Sequence, residues 1–124
     1  MEVKASAPAK TILFGEHFVV YGEPALVLAI DNRAYASAKI RADQRIYIKS
    51  PSMGFSGFFE RESFQAEHGG EEARVKLEPI KIVVQKVLDL SKKETGVNVE
   101  VCSAIPVAAG LGSSAAVVAS VAAA

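Results

Sequence analysis

From Arg33 to Arg41 the chain alternates: Arg33, Tyr35, Ser37, Lys39 and Arg41 on one side, Ala34, Ala36, Ala38 and Ile40 on the other. A period of two predicts a half-buried strand. Ala42-Asp43-Gln44 is a turn that carries it into Arg45–Lys49 as a hairpin. Before it, Val3–Ala7 and Thr11–Phe14 read as two short strands. Gly15 and Gly22 bracket a polar turn, Glu16-His17, and the apolar run Phe18–Tyr21. Pro24 precedes the apolar stretch Ala25–Ile30, and Asp31-Asn32 is a turn signal.

Pro51–Phe64 holds Phe55, Phe58, Phe59 and Phe64 with Gly54 and Gly57, a strand or packed loop. Core packing is favoured there over an aromatic site for a base. Glu67–Arg74 is polar, contains Gly69-Gly70, and reads as a surface loop. Pro79 is placed to open a helix. Ile80, Val83, Val84, Val87 and Leu88 then form one apolar stripe. Lys92 and Lys93 suit the helix's carboxyl end, and Gly96 its stop. Val97, Val99 and Val101 alternate with Asn98, Glu100 and Cys102, so a strand follows. Beyond Pro106 come a glycine loop and a last helix, Ser113–Ala124. The order strands, helix, strand, loop, helix predicts an α+β domain with one main mixed sheet.

The 124 residues fit one domain, 1–124, and half of them are hydrophobic, enough for a core. Fourteen basic and fourteen acidic side chains cancel, which gives no general attraction to nucleic acid or anionic membrane. Cys102 is the only cysteine, which excludes an intrachain disulfide and a cysteine zinc site. We expect it to be a small core residue. His68 reads as an ordinary loop histidine.

The first ten residues lack a signal-peptide core, so a cytoplasmic location is expected. Val101–Ala124 carries no charge and is long enough to span a bilayer. Its content argues otherwise: Ile105–Ala124 is mostly Ala, Gly and Ser, whereas insertion is driven by Leu, Ile, Phe and Val. Ser113–Ala124 reads instead as a helix surrounded by protein on every side. It has no closing signal at Ala124, which leads us to expect a piece of a longer protein whose remainder covers it.

Two places carry chemistry. In Pro106-Val-Ala-Ala109-Gly110-Leu111-Gly112-Ser113-Ser114-Ala115-Ala116 a strand enters a small-residue turn and a helix starts at the serines. The first helical N–H groups have no internal partner, the dipole adds positive charge, and glycines let an anion approach. Such a turn suits a phosphate. It is equally an ordinary capped helix after a glycine turn. Ser113 or Ser114 can cap the helix or bind a hard cation. A Walker A loop is excluded, because no lysine follows Lys93. The dinucleotide fingerprint Gly-x-Gly-x-x-Ala does match at Gly110, Gly112 and Ala115. The second place is Lys10-Thr-Ile-Leu-Phe14-Gly15-Glu16-His17, a lysine, a carboxylate and an imidazole within a short span. A lysine near a reacting hydroxyl stabilises developing negative charge. Taken singly, each of these also fits a solvated surface residue.

Together the two segments resemble a known family. Ala7-Pro-Ala-Lys10 through Gly15-Glu16-His17-Phe-Val-Val-Tyr21-Gly22-Glu-Pro24-Ala25-Leu26 resembles the start of mevalonate kinases. Pro106–Ala116 resembles the phosphate motif of the wider superfamily of galactokinase, homoserine, mevalonate and phosphomevalonate kinases.

The resemblance implies a ribosomal-protein-S5-domain-2-like amino-terminal ATP-binding kinase domain, a mixed sheet with helices on one side, the carboxyl-terminal domain being absent. It implies ATP- and Mg²⁺-dependent phosphorylation of the mevalonate 5-hydroxyl in isoprenoid synthesis. The Pro106–Ala116 turn, with Ala109, Gly110, Leu111, Gly112, Ser113, Ser114, Ala115 and Ala116, would hold the ATP phosphates. Ser114 would bind Mg²⁺. Lys10 would act at the reacting hydroxyl, with Glu16 and His17 on the substrate side. It implies ATP and mevalonate as partners, with no nucleic acid or membrane, and allows for a homodimer of the full-length enzyme.

Ala9 stands where many relatives have Gly. The aspartate that acts with the lysine and the glutamate that shares Mg²⁺ follow the serine loop in that family, and here no Asp or Glu follows Glu100. The chain alone is therefore expected to be inactive. Two alternatives remain at this point: a fragment of a dinucleotide-binding oxidoreductase, and a non-catalytic nucleotide-binding module.

Overall fold

The first strand, β1 (Glu2–Phe14), pairs antiparallel with β2 (Leu26–Arg41). The structure, a computed structural model, describes residues 1–124. The two short strands expected at the amino terminus are one continuous strand. Pro8 does not interrupt it, because β1 is an outer strand and the register shifts between Pro8 and Ala9. Pro8 faces Arg33 and Ala9 faces Ile30, so Asp31 and Asn32 are the extra residues of a bulge. The expected turn at Asp31-Asn32 is thus corrected: the pair bends β2 without ending it. At the far tip of the hairpin, Phe18–Tyr21 form a single 3-10 turn. Gly15 is fixed there by a φ of +89° and by the close approach of Pro24 and Ala25.

The remaining strands are β3 (Ile46–Ser50), β4 (Phe55–Glu60), β5 (Ser63–His68) and β6 (Gly96–Ser103). The sheet order is β1-β2-β6-β3-β4-β5, antiparallel throughout except for the parallel pair β3 and β6. The expected hairpin between β2 and β3 is therefore corrected, since β6 lies between them. The Asp43–Arg45 connection arches over the start of β6. Gly96 donates to the Asp43 carbonyl at 2.6 Å and Val97 to that of Arg45 at 3.1 Å. A side chain at Gly96 would collide with both carbonyls, so this glycine is required by close approach and does not stop a helix.

Two helices cover one face of the sheet. Helix α1 is Gly70–Ser91 and α2 is Ser113–Ala123. Helix α1 begins nine residues before Pro79, which corrects both the expected loop Glu67–Arg74 and the expected start. Its buried stripe runs Ala73, Leu77, Ile80, Val84, and Glu71 and Glu72 favour its positive end. Pro79 and Val75 both lie on the exposed side, so water reaches the carbonyl that Pro79 leaves unpaired. The helix closes at Lys92, with φ +53°, and not at Gly96.

The main core joins Ile46, Ile48 and Phe59 to Leu77, Val99 and Val101. Burying Leu77 or Ile48 completely contributes about 1.5–3 kcal/mol each. Phe64 packs on Phe59 with ring centroids 4.6 Å apart, and Phe55 packs against the same core. Phe58 lies on the opposite face against Tyr47, under the guanidinium groups of Arg41 and Arg45. Cys102 is exposed on that open face, a correction of its expected place: with Val97, Val99 and Val101 turned inward, its alternation turns it out. In α2 only Ala116, Ser120 and Val121 are buried, so the chain covers one side of this helix and not all of it. No helix is long and apolar enough to cross a membrane.

Candidate active site

A second, smaller core of Ala9, Ala34, Ile105 and Ala116 lies where α2 meets β1 and β2. Three of the four are alanines, so the first turn of α2 comes close to β1 at Lys10. The bulge anchors the approach: Asn32 Nδ2 donates to the Ala104 carbonyl at 3.4 Å, and Ala104 N–H donates to that of Arg33 at 3.0 Å. Ala34 and Asn32 belong to this support and escaped the sequence reading. The turn chemistry of Asn32 was visible, but nothing local linked it to Ala104.

Between β6 and α2 the chain makes the glycine turn. Ala108, Gly110 and Gly112 have φ of +59°, +69° and +71°. Such left-handed residues recur in backbone concavities whose N–H groups bind anions. No main-chain N–H from Val107 to Ala115 donates a hydrogen bond within the chain; the first to do so is Ala116, to Gly112 at 3.0 Å. Gly112 is the helix N-cap, and no side chain caps α2. The expectation that Ser113 or Ser114 caps the helix is thereby corrected, and their hydroxyls stay free beside the unpaired amides. The turn is therefore a row of donors at the positive end of a helix.

Lys10 stands against this turn. Its ammonium donates to the Gly110 carbonyl at 3.1 Å, and its main-chain N–H donates to Leu111 at 2.9 Å. Its stem passes over Gly112, where a Cβ would lie 3.0 Å from Lys10 Cγ. Lys10 forms no ion pair. Two segments a hundred residues apart in sequence thus form one corner of the fold. Leu111 packs on the small core below, while Pro106, Ala109, Ser114 and Ala115 are exposed on the rim.

Glu16 and His17 make no hydrogen bond or ion pair with that corner. They lie beyond Phe14, which is about 13 Å along the strand from Lys10 at about 3.3 Å per residue. Both side chains are largely exposed, with His17 Nε2 4.0 Å from Glu16 Oε1. His68 bonds Ser56 at 3.0 Å at the opposite edge of the sheet.

The turn also follows the last strand of a sheet with only one parallel pair. A dinucleotide fold requires it after the first strand of a parallel sheet. Residues 78–124 match the family described as the GHMP kinases N terminal domain. Over that span the chain resembles the GHMP kinases.

The chain is 45% identical over 121 residues to a protein of Thermococcus sibiricus named mevalonate kinase, and 44% identical over 122 residues to one of Pyrococcus furiosus with the same name. Each match covers 94% of the chain and 36% of the relative, so the chain spans about a third of those proteins. Among solved structures, the chain resembles the mevalonate kinase of Methanococcus jannaschii, with a TM-score of 0.74 and 25% identity over 98% of this chain and 38% of that one. It shares its fold with a Lactococcus lactis galactokinase complexed with galactose, at a TM-score of 0.70 and 22% identity, covering 97% of this chain and 31% of that one.

Proposed function

We propose that the protein is the ATP-binding part of a mevalonate kinase, which moves the γ-phosphoryl group of ATP to the 5-hydroxyl of mevalonate. One observation carries the reading: Lys10 is held at the edge of a helix-terminal turn whose amides have no partner. The names of relatives more than two-fifths identical support the choice of mevalonate.

In this reading the amides from Gly110 to Ala115 take the ATP phosphates, with Pro106 and Ala109 shaping the entry; the Ala116 N–H, expected among them, is already bonded to the Gly112 carbonyl. Lys10 faces the γ-phosphate and the incoming hydroxyl. Glu16 and His17 bind the mevalonate side. The 5-hydroxyl oxygen attacks the γ-phosphorus, forming a new P–O bond as the bond to the β-phosphate oxygen breaks and its electron pair leaves with ADP. The Lys10 ammonium stabilises the charge that develops between them. The hydroxyl proton needs a base, and no carboxylate lies within ion-pair distance of Lys10. By itself the chain would then bind nucleotide without turnover.

Magnesium fits in part. The Ser114 hydroxyl is a hard oxygen donor free of internal bonds, but no cluster of three acidic, His or Cys side chains stands near it. Ser114 would hold the ion through that one oxygen. When bound, Mg²⁺ neutralises charge shared between phosphate oxygens.

The test is a chimera in which residues 1–124 replace the matching segment of the Pyrococcus furiosus relative. ADP release on mevalonate, lost in Lys10→Met, is expected. A folded chimera that binds ATP and releases no ADP with mevalonate contradicts the substrate; one that fails to bind ATP contradicts the whole reading.

A further inference from the structure

Lys10 does two things to the glycine turn that phosphoryl transfer does not require. Its ammonium holds the Gly110 carbonyl at 3.1 Å, and its main-chain N–H holds the next carbonyl, Leu111, at 2.9 Å. In a trans peptide the C=O and the following N–H point in opposite directions. Drawing the Gly110 carbonyl toward the ammonium therefore turns the Leu111 N–H away from it. Drawing the Leu111 carbonyl toward β1 turns the Gly112 N–H outward in the same way.

Gly112 makes the grip achievable. A Cβ there would lie 3.0 Å from Lys10 Cγ and 3.1 Å from Cε. Both are tighter than ordinary carbon–carbon contact, so any side chain at 112 would push the lysine stem aside by a few tenths of an ångström and disturb its grip. The main-chain bond uses an outward N–H of an outer strand, so no ladder bond competes for it.

We propose that Lys10 is also the positioning residue of the anion site: it clamps two consecutive carbonyls so that the amides of Leu111 and Gly112 stand outward before any anion arrives. This deepens the kinase reading and rests on it only for the identity of the anion. The pre-set turn spares the ordering cost that a loose loop would meet on binding.

The test uses the 124-residue chain, no nucleotide, and inorganic tripolyphosphate as the probe. In the free protein, ¹⁵N order parameters at Leu111 and Gly112 should be about 0.85 and fall below about 0.6 in Lys10→Met. Val97–Val101 in the same spectrum report whether the sheet is intact. Lys10→Arg, which keeps a cationic donor, should restore order. Tripolyphosphate affinity should drop about tenfold in Gly112→Ala, a variant that keeps the lysine charge. That drop should persist in about 1 M salt, where the Debye length is about 3 Å and long-range attraction is screened.

Unchanged order parameters in Lys10→Met overturn the proposal. So does wild-type tripolyphosphate affinity in Gly112→Ala. Neither result bears on phosphoryl transfer, and a chain that never phosphorylates mevalonate can still show the clamp.

Discussion

The Lys10 ammonium donates to the Gly110 carbonyl oxygen at 3.1 Å across a hundred residues of chain. Nearby, the same lysine's stem lies over Gly112, so two glycines of one turn stand in different relations to it. A Cβ at Gly110 would meet nothing within 4 Å, whereas one at Gly112 meets the lysine.

Replacing either glycine with alanine costs about 1–2 kcal/mol for the left-handed backbone alone. Gly112→Ala should cost about 1 kcal/mol or more beyond Gly110→Ala, because it also overpacks the lysine stem. Urea midpoints of the two variants, at equal m-value, check the order. Equal losses would mean that the stem moves freely.

Leu77 is fully buried although it precedes Pro79. Leu77→Ala should cost about 2–5 kcal/mol. Leu90→Ala, on a side chain 85% exposed, should change stability by less than about 0.5 kcal/mol. Denaturant unfolding of both variants tests whether α1 starts at Gly70. A small loss at Leu77 would return the segment before Pro79 to a surface loop.

Asp43 accepts two bonds from Arg41 at 2.7 Å and one from the Arg45 side chain at 3.1 Å. The Arg41 hydrogen bonds, above all, hold its carboxyl far below the usual carboxylate range. A lowered folded-state value means that the unfolded chain takes up the proton first. The stabilisation is thus complete above the ordinary Asp value of about 3.9 and declines as pH falls below it. Glu67, lowered by its bond from Tyr47 and then by Ser56, acts in the same direction. Unfolding midpoints measured from neutral to strongly acidic pH should fall less steeply in Asp43→Asn than in the wild type. Parallel curves would contradict the role given to Asp43.

Much of this was legible where a signal is local. The alternation of Arg33–Lys39 and of Val97–Cys102 and the start of α2 appear as expected, whereas Ile40 is 60% exposed and Val87 39% exposed, so the expected apolar side of β2 and the stripe after Pro79 each lose one member to solvent. The failures share a cause: a residue type with a strong local meaning was put to a tertiary use. Asp31-Asn32 carries turn chemistry and forms a bulge. Gly96 looks like a helix stop and instead admits the Asp43 and Arg45 carbonyls. The hairpin after Gln44 is split because β6, fifty residues later, pairs between its strands. At the site, the motifs marked Lys10 and Gly110–Ser114, but only the fold sets one against the other. The support from Ala34 and Asn32 had no sequence signature.

The proposed function requires the amides from Gly110 to Ala115 to receive phosphate beside Lys10. An amide NMR titration of the 124-residue chain with Mg²⁺ and a non-hydrolysable ATP analogue tests it most directly. The largest shifts are expected at Gly110–Ala115, with the Lys10 side-chain resonance moving in step. Saturable shifts elsewhere, such as around Tyr35 and Tyr47 on the open sheet face, with the glycine turn unmoved, would contradict it.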